Sequence, residues 1–371
     1  MSGYDTVVIG GGQAGLAVGH HLARLGCDFV ILDEHARVGD VWRERYDSLR
    51  LYSPAKYDGL PGMPFPAPRY AYPSGAAMAD YLESYADRRQ LPVRTGVRVD
   101  GLWPAPDGEG YDVCAGAQRL HASQVVVATG GHQVPAWPDF ADELDPEIRQ
   151  LHSSDYRNPS QLRPGAVLVV GAAHSGADVA LEVAAEHETW LSGAVHGQLP
   201  FDIEGRLAHQ VLKVMWFAAN HVLTMQTPLG RKVRPEIRAH GGPLLRVRLA
   251  DLAAAGVHHV VARTVAVRDG RPMLADGQVL DVANIIWCTG FRPDFDWIHL
   301  PVIAADGWPE QERGVVPAAP GLYFVGLIFQ YAFASMLVGG VGRDAAFVAR
   351  QVAARSGRRV QAPRPMGVGS P

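Results

Sequence analysis

The chain has 371 residues, of which 47% are hydrophobic and 19% charged, with a formal net charge of −4. That is apolar material for two α/β units, and it excludes a disordered chain. No basic stripe points to nucleic acid, and no acidic tail points to a macromolecular partner.

Tyr4 to Ile9 is a short apolar run, the pattern of a strand buried on both faces. The chain opens straight into it, without the basic and apolar regions of a signal peptide, so a cytoplasmic setting is expected. Cys27, Cys114 and Cys288 are far apart and make no C-x-x-C, which fits buried thiols in a reducing compartment. After the strand comes Gly10-Gly11-Gly12-Gln13-Ala14-Gly15, then a helical pattern to about Leu25, then a second strand, Phe29 to Asp33. Residues 40–75 are rich in Pro and Gly and read as ordered loop. Ala76 to Arg89 reads as helix, 93–121 as short strands, and Gln124 to Ala128 as a buried strand ending in Thr129-Gly130.

A Pro-rich crossing, 135–164, leads to a second strand, glycine turn and helix: Ala166 to Val170, Gly171 to Gly176, and on to about Glu186. Thr189 to Ser192 is its second strand, and Glu204 to Met225 reads as mostly helical. The longest apolar stretch, Val211 to Met225, is interrupted by Lys213, Asn220 and His221 and is too short to span a bilayer. It reads either as a helix packed on the second unit or as an apolar substrate entrance. Ile285 to Gly290 repeats the strand-then-Thr-Gly pattern, Leu322 to Val325 is a late strand, and Ala334 to about Arg355 a terminal helix. The last ~15 residues read as disordered.

Gly10-x-Gly12-x-x-Gly15 stands where a dinucleotide turn needs it, after a strand and opening a helix. The glycines permit the tight turn, approach of backbone to a diphosphate, and close packing of helix on strand. The helix N-terminus offers free N–H groups to phosphates. Asp33, at the end of the second strand, is placed to accept hydrogen bonds from a ribose, and Glu34 points to the other face. In the second turn Gly171, Ser175 and Gly176 repeat the arrangement, but Ala173 replaces the middle glycine and adds a methyl where a diphosphate approaches. No arginine follows the second strand, so NADH is expected to serve as well as NADPH, or instead of it. Histidines such as His20-His21 and His258-His259 have no metal spacing, and no metal is expected. The absence of G-x-S-x-G argues against an α/β-hydrolase.

The segments Gly10 to Gly15, Val38 to Arg43, Tyr46 to Pro54, Ala128 to Gly130, His152 to Tyr156, Trp287 to Pro293 and Gly321 to Gly326 together resemble the flavin-containing monooxygenases, the class B flavoprotein monooxygenases. The likeness is nearest to their smaller bacterial CzcO-like members and runs from about Tyr4 to about Ala353. It implies two dinucleotide-binding Rossmann-like domains of the three-layer α/β class. A nicotinamide domain, about 151–283, is inserted into a discontinuous FAD domain, about 1–150 and 284–371. It implies FAD with NADPH or NADH, a small-molecule substrate and O2, and oxygenation of a soft nucleophile (S or N) through a C4a-hydroperoxyflavin. A homodimer is compatible with it.

The residues carried over to FAD are Gly10, Gly12, Gln13, Ala14, Gly15, Asp33, Val41, Trp42, Arg43, Ser53, Thr129, Gly130, Gly326 and Gln330. Those carried over to the nicotinamide nucleotide are Gly171, Ser175, Gly176 and Asp178. Tyr52, Ser53 and His152 are the candidate catalytic residues, with Tyr331 a further candidate beside the flavin ring. The family's second-turn fingerprint keeps His152 and Tyr156 here, with Ile148 where its glycine stands, and Tyr156 rather than Trp favours heteroatom over ketone oxidation. Vertebrate members carry an Asn near the flavin where this chain has Tyr52. Rival readings are an NAD(P)H:acceptor oxidoreductase without oxygen insertion, and a weakly catalytic redox-sensing flavoprotein.

Overall fold

The computed structural model describes residues 3–205, 208–239 and 241–357. The expected disordered tail lies outside them, as does Arg206. Among the described residues sixteen strands and eight α-helices follow in chain order. The first sheet is built from β1 (Gly3–Ile9), β2 (Phe29–Leu32), β3 (Val93–Arg94), β4 (Gly101–Pro104), β5 (Tyr111–Ala115), β6 (Gln118–Val127) and β16 (Leu322–Phe324). Its path is β3-β2-β1-β6-β5-β4, with β16 also on β6. β1 runs parallel to both neighbours, Val7 opposite Val30 and Val125. Alternation along β1 splits its apolar side chains between two cores. Val8 joins the core under α1 (Gln13–Arg24), α3 (Gly75–Arg88) and α8 (Val341–Arg355), and Val7 and Ile9 join the core on the opposite face.

The second sheet, ordered β11-β10-β9-β14-β8, is wholly parallel. Its strands are β8 (Arg149–His152), β9 (Val167–Val170), β10 (Thr189–Ser192), β11 (His258–Val260) and β14 (Asn284–Trp287). β9 shows the same alternation. Val167 and Val169 face α4 (His174–Val183) and α7 (Leu249–Ala254), while Leu168 and Val170 face the hairpin of β12 (Thr264–Arg268) and β13 (Arg271–Leu274). A division at residues 150 and 284 cuts β8 from this sheet and gives β14 to the other. Their hydrogen-bonded partners are both in the second sheet, because β14 lies between β9 and β8. The chain crosses between sheets through an antiparallel ribbon of β7 (Val134–Pro135) and β15 (Phe291–Arg292).

Other elements differ from the sequence expectations. The loop after β2 contains a one-turn helix, α2 (Asp40–Arg43). The terminal helix starts at Val341, not Ala334, after a 3-10 turn at Phe333–Met336 and Gly339-Gly340, whose close contacts with Tyr57 and Ala334 backbone leave no room for side chains. Between β10 and β11 lies a helical excursion, α5 (Ala208–Phe217), a π-turn (Ala218–Val222) and α6 (Pro228–Ala239). It packs on the first unit rather than the second: Trp216 stacks on Tyr57 at 4.6 Å, Arg343 donates to the Asn220 carbonyl, and Met225 N–H donates to the Tyr331 carbonyl. No helix among the described residues is long and apolar enough to cross a membrane.

Trp287 is fully buried in the second sheet, and its indole N–H donates to Gln150 Oε1 at 3.0 Å across β14 and β8. Trp287→Ala is expected to cost about 3–5 kcal/mol, read as a lower urea midpoint. A loss below about 1 kcal/mol would contradict this packing.

Candidate active site

The three glycines of the first turn have separate causes. Gly10 follows β1 at φ 106°, and a Cβ there would lie 2.7 Å from the Ala128 carbonyl oxygen. A Cβ on Gly15 would sit 1.9 Å from the Gly10 carbonyl oxygen, so α1 can approach β1 only with glycine there. Gly12 has ordinary extended backbone, φ −75°, and a Cβ there would meet nothing within 4 Å. The fold therefore requires the first and third glycines and is indifferent to the second. α1 has no side-chain cap and no acidic residue in its first turn, so the amides around Gln13 and Ala14 are left for an outside acceptor. A backbone cradle clear of side chains at a helix N-terminus fits the diphosphate of FAD.

Gly326, at φ 86° just after β16, closes on this turn, since its Cβ would come within 2.6 Å of the Ala14 Cβ. Thr129 and Gly130 follow β6 on the same edge, tied to Gln133, whose amide donates to Thr129 Oγ1 at 2.7 Å and to the Gly130 carbonyl at 2.8 Å. Asp33 directly follows β2, but it also serves the protein. Its Oδ2 accepts the Gly11 N–H at 2.6 Å, and its Oδ1 accepts the His35 N–H and faces His35 Nδ1, both at 3.0 Å. Burial opposes its ionisation, but the His35 ring and the two amides outweigh it and hold the carboxyl below its usual range. Glu34 is exposed beside Arg98.

The α2 residues are shared out differently. Trp42 packs on both the first-sheet core and the α4 core, and Val41 is half-buried beside it. Arg43 turns to α3, donating to the Val38 carbonyl, Asp40, Asp80 and Glu83. It anchors α2. Gln330 is buried and spent on its own loop, donating to the Phe324 carbonyl at 2.9 Å and accepting from Leu327 N–H. Tyr331 hydrogen-bonds Gln226 and lies between Arg313 and Arg343, at 4.4 and 4.7 Å.

The second turn repeats the first closely. Gly171 has φ 107° and a Cβ there would be 2.4 Å from the Cys288 carbonyl oxygen, while one on Gly176 would be 1.7 Å from that of Gly171. Ala173 takes the place of Gly12 with φ −89°, so its methyl costs no backbone strain. The mouth differs, however. A Cβ on Gly241 would lie 2.5 Å from the Ala173 Cβ, Gly242 abuts the His174 ring, and His174 Nε2 donates to the Pro243 carbonyl at 2.5 Å. The segment Gly241 to Pro243 thus covers the position that is open in the first turn. Ser175 stands half-buried in the first turn of α4. Burial lowers the pKa of His174.

Asp178, carried over to the nicotinamide nucleotide, stands at a junction between the units. Its Oδ2 accepts from Tyr52 OH at 2.8 Å, Tyr46 OH at 3.2 Å and Arg246 Nη2 at 2.9 Å. Tyr52 also stacks against His174 at 4.6 Å, and burial raises its phenol pKa well above the usual value. Ser53 Oγ donates to Asp58 Oδ1 at 2.5 Å, and Asp58 Oδ2 is buried without a partner. Burial pushes the Asp58 carboxyl up to about 7. His152 is fully enclosed: Nδ1 accepts the Ser154 N–H at 3.2 Å and Nε2 donates to the Gly290 carbonyl at 3.0 Å. Burial lowers its pKa, and with both nitrogens bound it fastens β8 to the Thr289-Gly290 turn. Tyr156 OH donates to Glu182 on α4 at 2.8 Å. Arg246, His35, Asp58 and the 241–243 segment carry no local sequence motif. Only the run of glycines at Gly241-Gly242 before Pro243 hints at a close backbone approach. No group of His, Cys, Asp or Glu among the described residues could hold a metal ion.

Residues 7–191, from β1 through β10, match the family described as pyridine nucleotide-disulphide oxidoreductase. A CzcO-like oxidoreductase of Geobacillus kaustophilus is 37% identical over 350 residues, covering 94% of this chain and 98% of its own. The probable indole-3-pyruvate monooxygenase YUCCA3 of Arabidopsis thaliana is 29% identical over 94% of this chain and 86% of its own. Among solved structures, a flavin-containing monooxygenase from Stenotrophomonas maltophilia superposes with a TM-score of 0.75 at 29% identity, over 96% of this chain and 100% of its own. With its two glycine turns each following a strand with parallel neighbours, the chain belongs to the CzcO-like oxidoreductase family, within the flavin-containing monooxygenases.

Proposed function

We propose that this oxidoreductase binds FAD at the first glycine turn, takes electrons from NADH or NADPH, and uses O2 to oxygenate a small molecule at sulfur or nitrogen. The observation that carries the reading is Gly12, a glycine that neither φ nor packing demands, beside two that packing does demand. Such a position is explained by a ligand's approach. The bound flavin supplies the oxygen-transferring chemistry, and the protein supplies binding, orientation and exclusion of water.

The flavin unit is proposed to comprise the strands of the first sheet, and the nicotinamide unit the chain from about Arg149 to Trp287, with the excursion of α5 and α6 returning to the flavin unit. Gln13 and Ala14 amides hold phosphate, Gly326 and Thr129-Gly130 border the cofactor, and Asp33 keeps lone pairs beyond those used by Gly11 and His35 for a ribose hydroxyl. Tyr52 and His152 are positioning residues, since Tyr52 ties the flavin-side loop to α4 and His152 fixes the crossing between sheets. Ser53 and Asp58 form the buried pair able to hold a proton on a carboxyl oxygen near pH 7. Tyr156, where ketone-oxidising relatives carry Trp, supports a heteroatom substrate. The cytoplasm is the proposed compartment, consistent with three cysteines outside any disulfide.

The test is NADH- and NADPH-dependent O2 uptake by the flavin-loaded protein with methyl phenyl sulfide, methyl-substituted amines and cyclohexanone as separate substrates. Sulfoxide or N-oxide matching the nicotinamide consumed supports the reading. Hydrogen peroxide matching all nicotinamide consumed, or lactone as the sole product, contradicts it.

Asp58 gives a pH prediction. Its folded pKa of about 7 lies above the ordinary carboxyl value, so between those limits the folded state binds more protons than the unfolded one. Its contribution therefore falls as pH rises from about 4 to about 7 and is flat above. Asp58→Asn keeps an acceptor for Ser53 and removes the titration. Relative to wild type, its Tm is expected to rise by a few degrees between pH 5 and pH 8. An unchanged Tm difference across that range would contradict the buried carboxyl.

A further inference from the structure

The helical excursion between β10 and β11 presents two unlike faces. Inward, Trp216 stacks on Tyr57, Gly230 presses on the Thr224 backbone, and Val233 and Ile237 pack on the core that holds Phe329. On the side of α5 away from Trp216, Gln210, Lys213, Val214 and Phe217 recur at helical spacing, and all four are exposed. A solvent face is ordinarily polar, yet Val214 is 68% exposed and Phe217 60%. Met215 and Val222 are exposed as well, and Leu229 on α6 is 49% exposed. These are five of the eight large apolar side chains exposed among the described residues, and they are confined to the stretch from Val214 to Leu229. The Phe217 ring lies 4.8 Å from that of His221, so the apolar stripe of α5 runs on into the π-turn, where Val222 stands.

The same stretch is cationic. Residues 208–239 hold Lys213, Arg231, Lys232, Arg234 and Arg238 against Glu236 alone, in a chain of net charge −4. Arg234 and Arg238 are half-buried, with Asp306 acting on both, and they belong to the inward side. Lys213, Arg231 and Lys232 are exposed. Lys213 Nζ donates to Gln210 Oε1 at 2.9 Å and Arg231 Nη1 to the Met225 carbonyl at 3.1 Å, both neutral acceptors. No ion pair of these three forms among the described residues.

Apolar side chains standing out from helices beside exposed Lys and Arg suit the boundary between lipid headgroups and acyl chains. A partner helix would be met by a groove, whereas Val214 and Phe217 protrude. A second copy on a two-fold axis would bring the three cations against the same three. Nucleic acid would pair with the cations but leave the apolar side chains in water. The chain's net negative charge does not decide the matter, because charges beyond a Debye length of about 10 Å at 0.1 M salt are screened and the local cations act alone.

We propose that α5, the π-turn and α6 form a docking face for an anionic lipid surface. Val214, Phe217 and Leu229 enter the headgroup layer, and Lys213, Arg231 and Lys232 meet lipid phosphates. The chain then lies on a bilayer rather than across one, reversibly, with the first unit seated nearest the lipid through Tyr57 and the Tyr331 loop. This inference does not depend on the proposed oxygenation.

Flotation of the full chain, flavin included, with vesicles of phosphatidylglycerol, of phosphatidylcholine and of an equal mixture tests it. Binding is expected to rise with phosphatidylglycerol and to fall severalfold when salt is raised from about 0.1 M to about 0.5 M. Lys213→Gln with Lys232→Gln should weaken binding to phosphatidylglycerol about tenfold or more, and Phe217→Ser about fivefold or more, each with wild-type Tm. Val265→Ser, which removes exposed apolar surface on the β12–β13 hairpin, should change nothing. The inference is overturned if wild-type protein floats with no vesicle, or equally with both lipids at either salt. It is also overturned if Phe217→Ser binds as wild type while the lysine variant does not, since charge alone then explains the attraction, or if Val265→Ser loses as much as Phe217→Ser. Two further results contradict it: Phe217→Ser converting a dimer to a monomer, which assigns the face to a second copy, and Phe217→Ser raising a substrate's KM with vesicle binding intact, which makes the face a substrate entrance.

Discussion

Everything near the site depends on how closely a helix start can approach the strand before it. In both units the helix lies so near that a Cβ at the third glycine would overlap the carbonyl oxygen of the first, at 1.9 Å for Gly15 and 1.7 Å for Gly176. That approach aims the unpaired amides of α1 and α4 along the sheet edges and leaves no room for a side chain to intervene. The strand that follows in each sheet takes part too, since the carbonyls of Ala128 and Cys288 press on Gly10 and Gly171. The turn, the helix and the Thr-Gly corner are thus one packed unit, made twice.

The two turns then diverge at the middle glycine of the motif. Gly12 is open, and Ala173 is covered. The cover is not a local property of the turn, because it comes from residues almost seventy further along, held by His174. The same region carries the junction at Asp178, where hydroxyls of Tyr46 and Tyr52 and the guanidinium of Arg246 meet one carboxylate oxygen. A buried carboxylate tolerates such a place only with this pairing. The flavin-side loop is thereby fixed to α4, and Trp42 packs in both cores. The geometry between the sheets is set by these contacts and by His152 on Gly290.

Much of the fold is legible in sequence. The strand–glycine–helix units announce themselves because buried parallel strands are continuous apolar runs and their turns need glycine at fixed spacing. The unit boundary is less legible, since β14 looks alike whichever sheet it joins, and only pairing with β8 and β9 assigns it. The excursion of α5 and α6 reads as helix, but its partners, Tyr57 and the Tyr331 loop, are distant in sequence and leave no periodic trace. At the site the glycines are where their spacing places them. Arg43, Gln330 and Asp178 stand in the expected segments, yet their polar atoms are bound by Asp80 and Glu83, by Phe324, and by Tyr52 and Arg246. A motif fixes where a side chain starts, while long-range partners decide what its end touches.

The central claim is that the first turn exists for a flavin diphosphate and that Gly12 is the residue which admits it. Gly12→Val tests this directly, because a Cβ there meets no protein atom within 4 Å and φ of −75° suits any residue. The measurement is bound FAD per chain, from the absorbance of the purified, folded variant. The account predicts wild-type Tm with FAD content below about a tenth of the wild-type value, a loss of about 1.4 kcal/mol or more in binding at limiting flavin. A folded Gly12→Val protein that keeps its full complement of FAD would contradict it.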